Sequence, residues 1–333
     1  MKKFLLFITC MTIFGMIAVA AAISYVYSAA NRPGPLAETK IILIEYGQGI
    51  AGIAEKLESE NVISSALVFK IAAGVQKSKG SLKAGEYEFT PAITTNSIIE
   101  QLRLGKVYDR KITFPEGLTS HQIVKSLNEN DTLSGTIDEI PKEGSLLPET
   151  YHFIKGDSRA DIIAQMSSAM TRTIDELWPT RVNDLPVKTI EEAITLASIV
   201  EKETGVASER AKVAGVFINR LRQGMPLQSD PTIIYAMTEG NMQDEGQGPI
   251  GRRLLTKDLD TVSPYNTYLN PGLPPTPIAN PGRESIEAVL HPEIHDYIYF
   301  VADGTGGHVF ARTLTEHNTN VAKWRKIRRS QQQ

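Results

Sequence analysis

The sequence predicts an α+β protein built as an N-terminal transmembrane helix, a strand-helix-helix-strand module and a larger mixed α+β domain. Three observations carry this. An uncharged apolar run covers residues 4–27 near the start of the chain. Apolar patterns of period two and period 3.6 then follow, divided by glycine and proline turns. One later segment, residues 189–204, is apolar around more than half of a helical circumference. The divisions expected are 1–30 for a cytoplasmic N-terminus and anchor, 38–108 for the module, 109–140 for a second strand-helix unit and connection, and 141–330 for the main domain.

The apolar run follows Lys2 and Lys3 and ends before the turn residues Asn31, Pro33 and Gly34. Its length of roughly 20 residues or more suffices to cross a bilayer, and the flanking lysines keep the N-terminus cytoplasmic, so the bulk of the chain is expected outside. A cleaved signal peptide is the competing reading, because Ala18-Val19-Ala20 fits a small-residue cleavage site. Continuation of the run through Tyr25, Val26 and Tyr27 favours the anchor.

The 333 residues, 41% of them hydrophobic, suffice for two or three packed domains. A net charge of -3 offers no concentrated basic face, which excludes nucleic acid as a partner. The cluster Lys323, Arg325, Lys326, Arg328 and Arg329 reads as a solvated helix end. Cys10 is the only cysteine and lies inside the apolar run, so the exported part has neither a disulfide nor a thiol nucleophile. Phe7-Ile8-Thr9 before it lacks the small residues that lipid modification requires.

Residues 40–46 alternate and are β-branched, predicting a strand that turns at Gly47-Gln48-Gly49. Ile50, Ile53, Ala54 and Leu57 recur at helical spacing, a second helix covers 65–73, a strand lies within 82–89, and a further helix over 97–104 closes at Gly105. Residues 42–61 also match 112–131 at constant offset, with Gly47 on Gly117, Ile53 on Ile123, Ala54 on Val124 and Leu57 on Leu127. This is a strand-turn-helix unit used twice, or two helices packing on strands by the same rules. The region 40–107 resembles LysM-like modules, which hold glycan chains built on N-acetylglucosamine.

Beyond a transition near residues 131–144, a turn at Gly144 runs into the strand-like Glu149-Thr150-Tyr151-His152-Phe153, and an amphipathic helix is predicted over 158–177. The helix over 189–204 follows, with Thr189 as a cap and Glu191 and Glu192 in its favourable first turn. It is predicted to be central and buried, and it delivers Glu201 and Glu203 to its last turn before Gly205. Unpaired carbonyls there raise a carboxyl's pKa, as a general acid requires. The two glutamates flank the apolar arc on opposite sides, so periodicity does not choose between them; pairing with Lys202, Arg210 or Lys212 at the surface is the alternative to chemistry.

Ser208 is expected to cap a helix over 209–222, with another around 233–237 and a polar insertion over 241–251. Residues 263–282 hold four proline-bearing turns with Tyr265, Tyr268 and several asparagines, either a loop wall suited to sugars or a structural wrap. A helix over 284–290 and a hairpin around the turn 303–307 close the chain. The hairpin glycines serve the turn rather than a phosphate. His291 and His295 flank Pro292 without an HExxH arrangement, so no metal or other cofactor is expected.

Six ordered segments, Ala197-Ser198-Ile199-Val200-Glu201-Lys202-Glu203-Thr204, Val216-Phe217-Ile218-Asn219-Arg220-Leu221, Leu227-Gln228-Ser229-Asp230-Pro231-Thr232, Tyr265-Asn266-Thr267-Tyr268, Gly272-Leu273-Pro274-Pro275 and Tyr299-Phe300-Val301-Ala302-Asp303-Gly304, closely resemble the YceG/MltG family of membrane-anchored endolytic murein transglycosylases. The resemblance implies cleavage inside nascent peptidoglycan strands at the bond from N-acetylmuramic acid to N-acetylglucosamine, leaving 1,6-anhydro ends. It implies Glu203 as the catalytic residue, acid then base. It further implies glycan contacts from Asn219, Gln228, Asp230, Tyr265 and Asn266, with Glu149 and Tyr151 contributing, and a peptidoglycan synthase of the penicillin-binding type as partner. Lysozyme-like hydrolysis with Asp230 assisting water, and a tethered glycan-binding scaffold, are the competing functions.

Overall fold

α1 (Lys2–Asn31) carries the apolar run and continues beyond it. At 1.5 Å per residue it is about 45 Å long, against the ~30 Å of a bilayer's hydrocarbon core. Its last turns belong to the folded protein, with Ala30 buried and Val26 and Ala29 packed on the same core. The computed structural model describes residues 2–76, 78, 80–241 and 250–330, and divides them into one unit up to Arg110 and another from Lys111 onward. Most of the polar insertion expected at 241–251 lies outside the described residues.

In the first unit β1 (Lys40–Ile44) pairs antiparallel with β2 (Gly85–Phe89), Ile42 opposite Tyr87. Between them run α2 (Ile50–Ser59) and α3 (Ala66–Val75), and α4 (Thr95–Leu104) follows. Ser65 and Thr94 accept backbone N–H bonds as caps of α3 and α4, and Gly105 closes α4 at φ 70°, where a side chain would be strained. Ile53, Leu57, Phe69, Tyr87, Ile98 and Leu102 are fully or almost fully buried together.

The division falls just inside β3 (Arg110–Thr113), which pairs with β4 (Thr150–Phe153) of the second unit, with α5 (Ser120–Asn128) between them and α6 (Arg159–Leu177) after. Gly117 stands at φ 77°, as Gly47 stands at φ 80° in the first copy of the strand-turn-helix repeat. The segment 109–140 nevertheless has no core of its own: Phe114, Ile123 and Leu127 pack with Leu146, Phe153, Ile162 and Met166 from beyond it.

The larger core of this unit is organised on α7 (Ile190–Glu203). A capping box, Thr189 with Glu192, starts it, and residues 193–200 are all buried. α8 (Arg210–Arg222) and α10 (Arg283–Leu290) pack on it, joined by α9 (Asp230–Thr238). Each large aliphatic chain so enclosed stabilises the fold by about 1.5–3 kcal/mol. Buried Ser198 is satisfied, its Oγ donating to Thr195 O at 2.7 Å and accepting from Ile278 N–H at 3.0 Å. β5 (Tyr299–Ala302) and β6 (His308–Ala311) form the hairpin, and α11 (Leu314–Ser330), with no buried residue, carries the basic cluster.

α7 spans the stretch expected, from the Thr189 cap to Thr204, which turns the chain out in an extended conformation (φ -139°) with its Oγ1 accepting from Val206 N–H at 3.0 Å. Two other boundaries differ from the expectation. Ser208 sits in a 3-10 turn, Ala207–Glu209, and caps nothing. α9 starts earlier than 233, at Asp230, because Pro231 suits a first turn whose N–H groups need no partner.

Candidate functional site

Glu203 is the last residue of α7, and its Oε1 accepts a hydrogen bond from Ser229 Oγ at 2.5 Å. Ser229 is fully buried and its N–H donates to Thr267 Oγ1 at 3.1 Å, so the donor is fixed from behind. The surroundings desolvate the Glu203 carboxyl although the residue keeps some solvent exposure, and this pushes its pKa from the usual 4.5 up to about 7. Ser229's bond opposes the rise, Asp230's charge adds to it, and Arg220 opposes it through space. Desolvation, not the helix-end carbonyls, is the main cause.

Glu201 has a different environment. Its side chain is 5% exposed, with Oε1 3.4 Å from Arg210 Nη2 and Oε2 accepting Gly282 N–H at 3.0 Å. The same guanidinium binds Glu116 at 2.9 Å and Glu284. Glu201 therefore joins the ends of α7, α8 and α10 as a paired anion, the alternative that the sequence left open for one or both glutamates. Two residues apart on a helix, the carboxylates point into unlike surroundings: one neutralised by a cation, one poised to hold a proton.

Around Glu203 the structure gathers Gln228, Asp230, Arg220 and Tyr268. Gln228 and Asp230 are exposed on either side of buried Ser229. Gln228 adopts φ 53°, uncommon for a non-glycine residue, and its Oε1 accepts from Arg220 Nη1 at 3.3 Å. Arg220 also donates to Ile298 O at 2.7 Å and to Leu227 O at 2.9 Å, and lies over the Tyr299 ring at 5.2 Å. It thus moors the loop that delivers Ser229. Tyr268 Oη donates to Asp230 Oδ1 at 2.7 Å.

The other expected contacts are engaged elsewhere. Asn219 Nδ2 donates to His295 O at 2.7 Å and Tyr297 O at 3.0 Å, holding the approach to β5. Asn266 is 0% exposed; its Nδ2 donates to Leu259 O and Thr261 O, both at 2.8 Å, and its Oδ1 accepts from Tyr268 N–H at 2.9 Å. Its amide shapes the turn that carries Tyr268 and has no surface to offer a ligand. Tyr265 packs against Tyr235 with ring centroids 4.9 Å apart and the planes tilted by 52°, and its hydroxyl lies 2.7 Å from Thr276 Oγ1. Glu149 is exposed beside β4, whereas Tyr151 is a core residue against Phe114 whose hydroxyl donates to Leu147 O at 2.7 Å.

Sequence reasoning did not single out Ser229 and Arg220 as site residues, and it placed Tyr268 only within a loop wall suited to sugars. The usable signal was their place in the segments 216–221, 227–232 and 265–268, beside residues that were chosen. It also passed over Glu143, which burial pushes up to about 7 and whose oxygens both accept from Ser120 N–H at 3.1 Å. Asn280 Nδ2 approaches Glu143 at 3.4 Å, so this acid braces the start of α5. His291 Nε2 lies 3.0 Å from Thr180 Oγ1 and His295 Nε2 2.9 Å from Lys212 O, on separate elements. Among the described residues no group of His, Cys, Asp and Glu is arranged to hold a metal.

A carboxyl whose pKa lies near 7, at a rim of polar side chains on the buried central helix of a mixed α+β unit, is a group able both to give and to take a proton near neutral pH. The chain belongs to the YceG-like family, whose model matches residues 42–323. It is 33% identical over 315 residues to an endolytic murein transglycosylase of Bacillus subtilis, covering 85% of this chain and 84% of that protein. An endolytic murein transglycosylase of Streptococcus pneumoniae serotype 2 is 29% identical over 329 residues, and there the match spans 84% of this chain but 57% of the relative. A crystal structure of a YceG-like protein from Listeria monocytogenes is similar at a TM-score of 0.50 with 34% identity, covering 85% of this chain and 99% of that one.

Proposed function

We propose that this protein is an endolytic murein transglycosylase, with Glu203 as its single acid-base catalyst. The observation carrying the assignment is a carboxyl that burial holds near a pKa of 7 with one fixed donor, Ser229 Oγ at 2.5 Å. Protonated, Glu203 gives its proton to the glycosidic oxygen as the bond to C1 of N-acetylmuramic acid breaks. As carboxylate it takes the proton of that sugar's 6-hydroxyl while O6 bonds to C1. One bond breaks, one forms, the proton returns, and no water is consumed, so no second carboxylate has to activate water. Asp230, engaged by Tyr268, is then a neighbour that keeps Glu203 protonated rather than a partner base.

The exposed Gln228 and Asp230 and the half-buried Tyr268 form the rim that positions the glycan in this reading, with Tyr265 behind it; Asn219 and Asn266 act through the backbone they hold. The region 40–107 serves as a LysM-like module that grips the same polymer, and α1 keeps the protein in the cytoplasmic membrane, its larger part outside, beside a peptidoglycan synthase. Digestion of purified glycan strands followed by product mass tests this. Anhydro ends are expected; ends heavier by one water would replace the proposal with hydrolysis, and binding without cleavage would replace it with a scaffold.

A further inference from the structure

The function above leaves a cleft of about 720 Å3 in the first unit unexplained. It lies between the end of α1, α3 and α4, lined among others by Ile23, Val26 and Tyr27, by Ile71 and Val75, and by Arg103. α3 is apolar on both sides. Its inner face puts Val68, Phe69 and Ala72 into the core, while Leu67, Ile71 and Val75, spaced by four residues on its outer face, are 66%, 41% and 78% exposed. Single exposed aliphatics need no explanation, but three in register beside a groove form a surface that water solvates poorly. This stripe runs on into α1, where Ile23 and Tyr27 are likewise exposed.

The cleft is a fixed part of the fold. Ala30 is buried in the module's core, and Asn96 Nδ2 donates to Asn31 Oδ1 at 3.0 Å. At the cleft's polar wall, Arg103 Nε is buried without a hydrogen-bond acceptor. The nearest carboxylate, Glu100, reaches only Nη2, at 3.8 Å, and is itself largely exposed. The guanidinium as a whole is 21% exposed and lines the cleft together with Asn31, Asn96 and Glu100, so its outer nitrogens, held by one loose ion pair, are open to an anionic oxygen supplied from outside.

We propose that the cleft binds an anionic glycerophospholipid of the bilayer that α1 crosses, with an acyl chain along the stripes of α1 and α3 and the phosphate beside Arg103. The proposal rests on reading α1 as a membrane span. Glu100 at the same wall disfavours a second anion, which limits the site to one headgroup. Occupied, the cleft holds the first unit against the membrane surface by more than its tether.

The full chain in nanodiscs of phosphatidylcholine and phosphatidylglycerol, released and weighed intact by native mass spectrometry, tests this. The wild type is expected to retain phosphatidylglycerol. Arg103→Gln should lower the retained fraction about fivefold, the share of one cation near a membrane surface, and Val75→Asp should lower it at least as far. Val75 is exposed, so its substitution leaves the fold intact. Unchanged retention in either variant overturns the proposal. Flotation with vesicles separates the two readings: a wild type that does not float overturns the membrane span, and with it the lipid site, whereas floating variants with unchanged retention overturn the lipid site alone.

Discussion

Replacing Glu203 by glutamine should make the protein more stable at alkaline pH while removing its proposed chemistry. Burial raises the carboxyl's pKa from 4.5 to about 7, so the folded chain holds this proton more tightly than the unfolded chain does. The associated stability is fully present below pH 4.5 and is lost as pH rises through about 7. At about 1.4 kcal/mol per pH unit of displacement, the ionised wild type at pH 8 carries a penalty of about 3 kcal/mol that the neutral amide lacks. For a unit of this size that corresponds to roughly 6–12 °C in Tm. The assay is equilibrium urea unfolding and thermal unfolding of the full chain in detergent at pH 4 and pH 8. Glu203→Gln should exceed the wild type at pH 8 and match it at pH 4. No gain at pH 8, or the same gain at both, would refute the reasoning, because the first denies the raised pKa and the second makes the effect one of packing.

Other consequences follow from the same contacts. Turnover should fall about tenfold per pH unit above about 7; Ser229→Ala, which removes a bond favouring the carboxylate, should move this limb up, and Asp230→Asn should move it down, both read from kcat/KM against pH. Arg210→Met leaves Glu201, Glu116 and Glu284 without their shared cation and should cost about 3–5 kcal/mol in urea unfolding, leaving the position of the pH limb unchanged. Glu143→Gln replaces a carboxyl that burial also holds near 7, but it should keep appreciable turnover, since that acid's oxygens are bonded to Ser120 and Asn280.

Much of this architecture was readable because it is written in local chemistry. Thr189 and Gly105 mark helix ends by the groups they satisfy, and Gly47 and Gly117 mark matching left-handed turns, whereas the helix expected from 97 starts at Thr95 because Thr94 caps it. What was not readable depends on distant partners. Nothing in the helix period says that Arg210 lies against Glu201 and Ser229 against Glu203; those meetings are made by the packing of α8 and the loop before α9. Asparagine is equally able to bind a sugar or a backbone, and burial decides: Asn266 is enclosed and its amide is spent on the turn. The helix expected to run to residue 204 does end there, but through an extended Thr204, a way of stopping that needs no glycine at 205.

In the proposed reaction one carboxylate performs both the acid and the base step. Side-by-side turnover of glycan strands by Glu203→Gln and Glu201→Gln tests it most directly. Glu203→Gln should stay folded with turnover down about 10²–10⁴-fold, and Glu201→Gln should keep appreciable turnover despite its weakened ion pair. Near-normal turnover in Glu203→Gln, or inactivity confined to a well-folded Glu201→Gln, would contradict it.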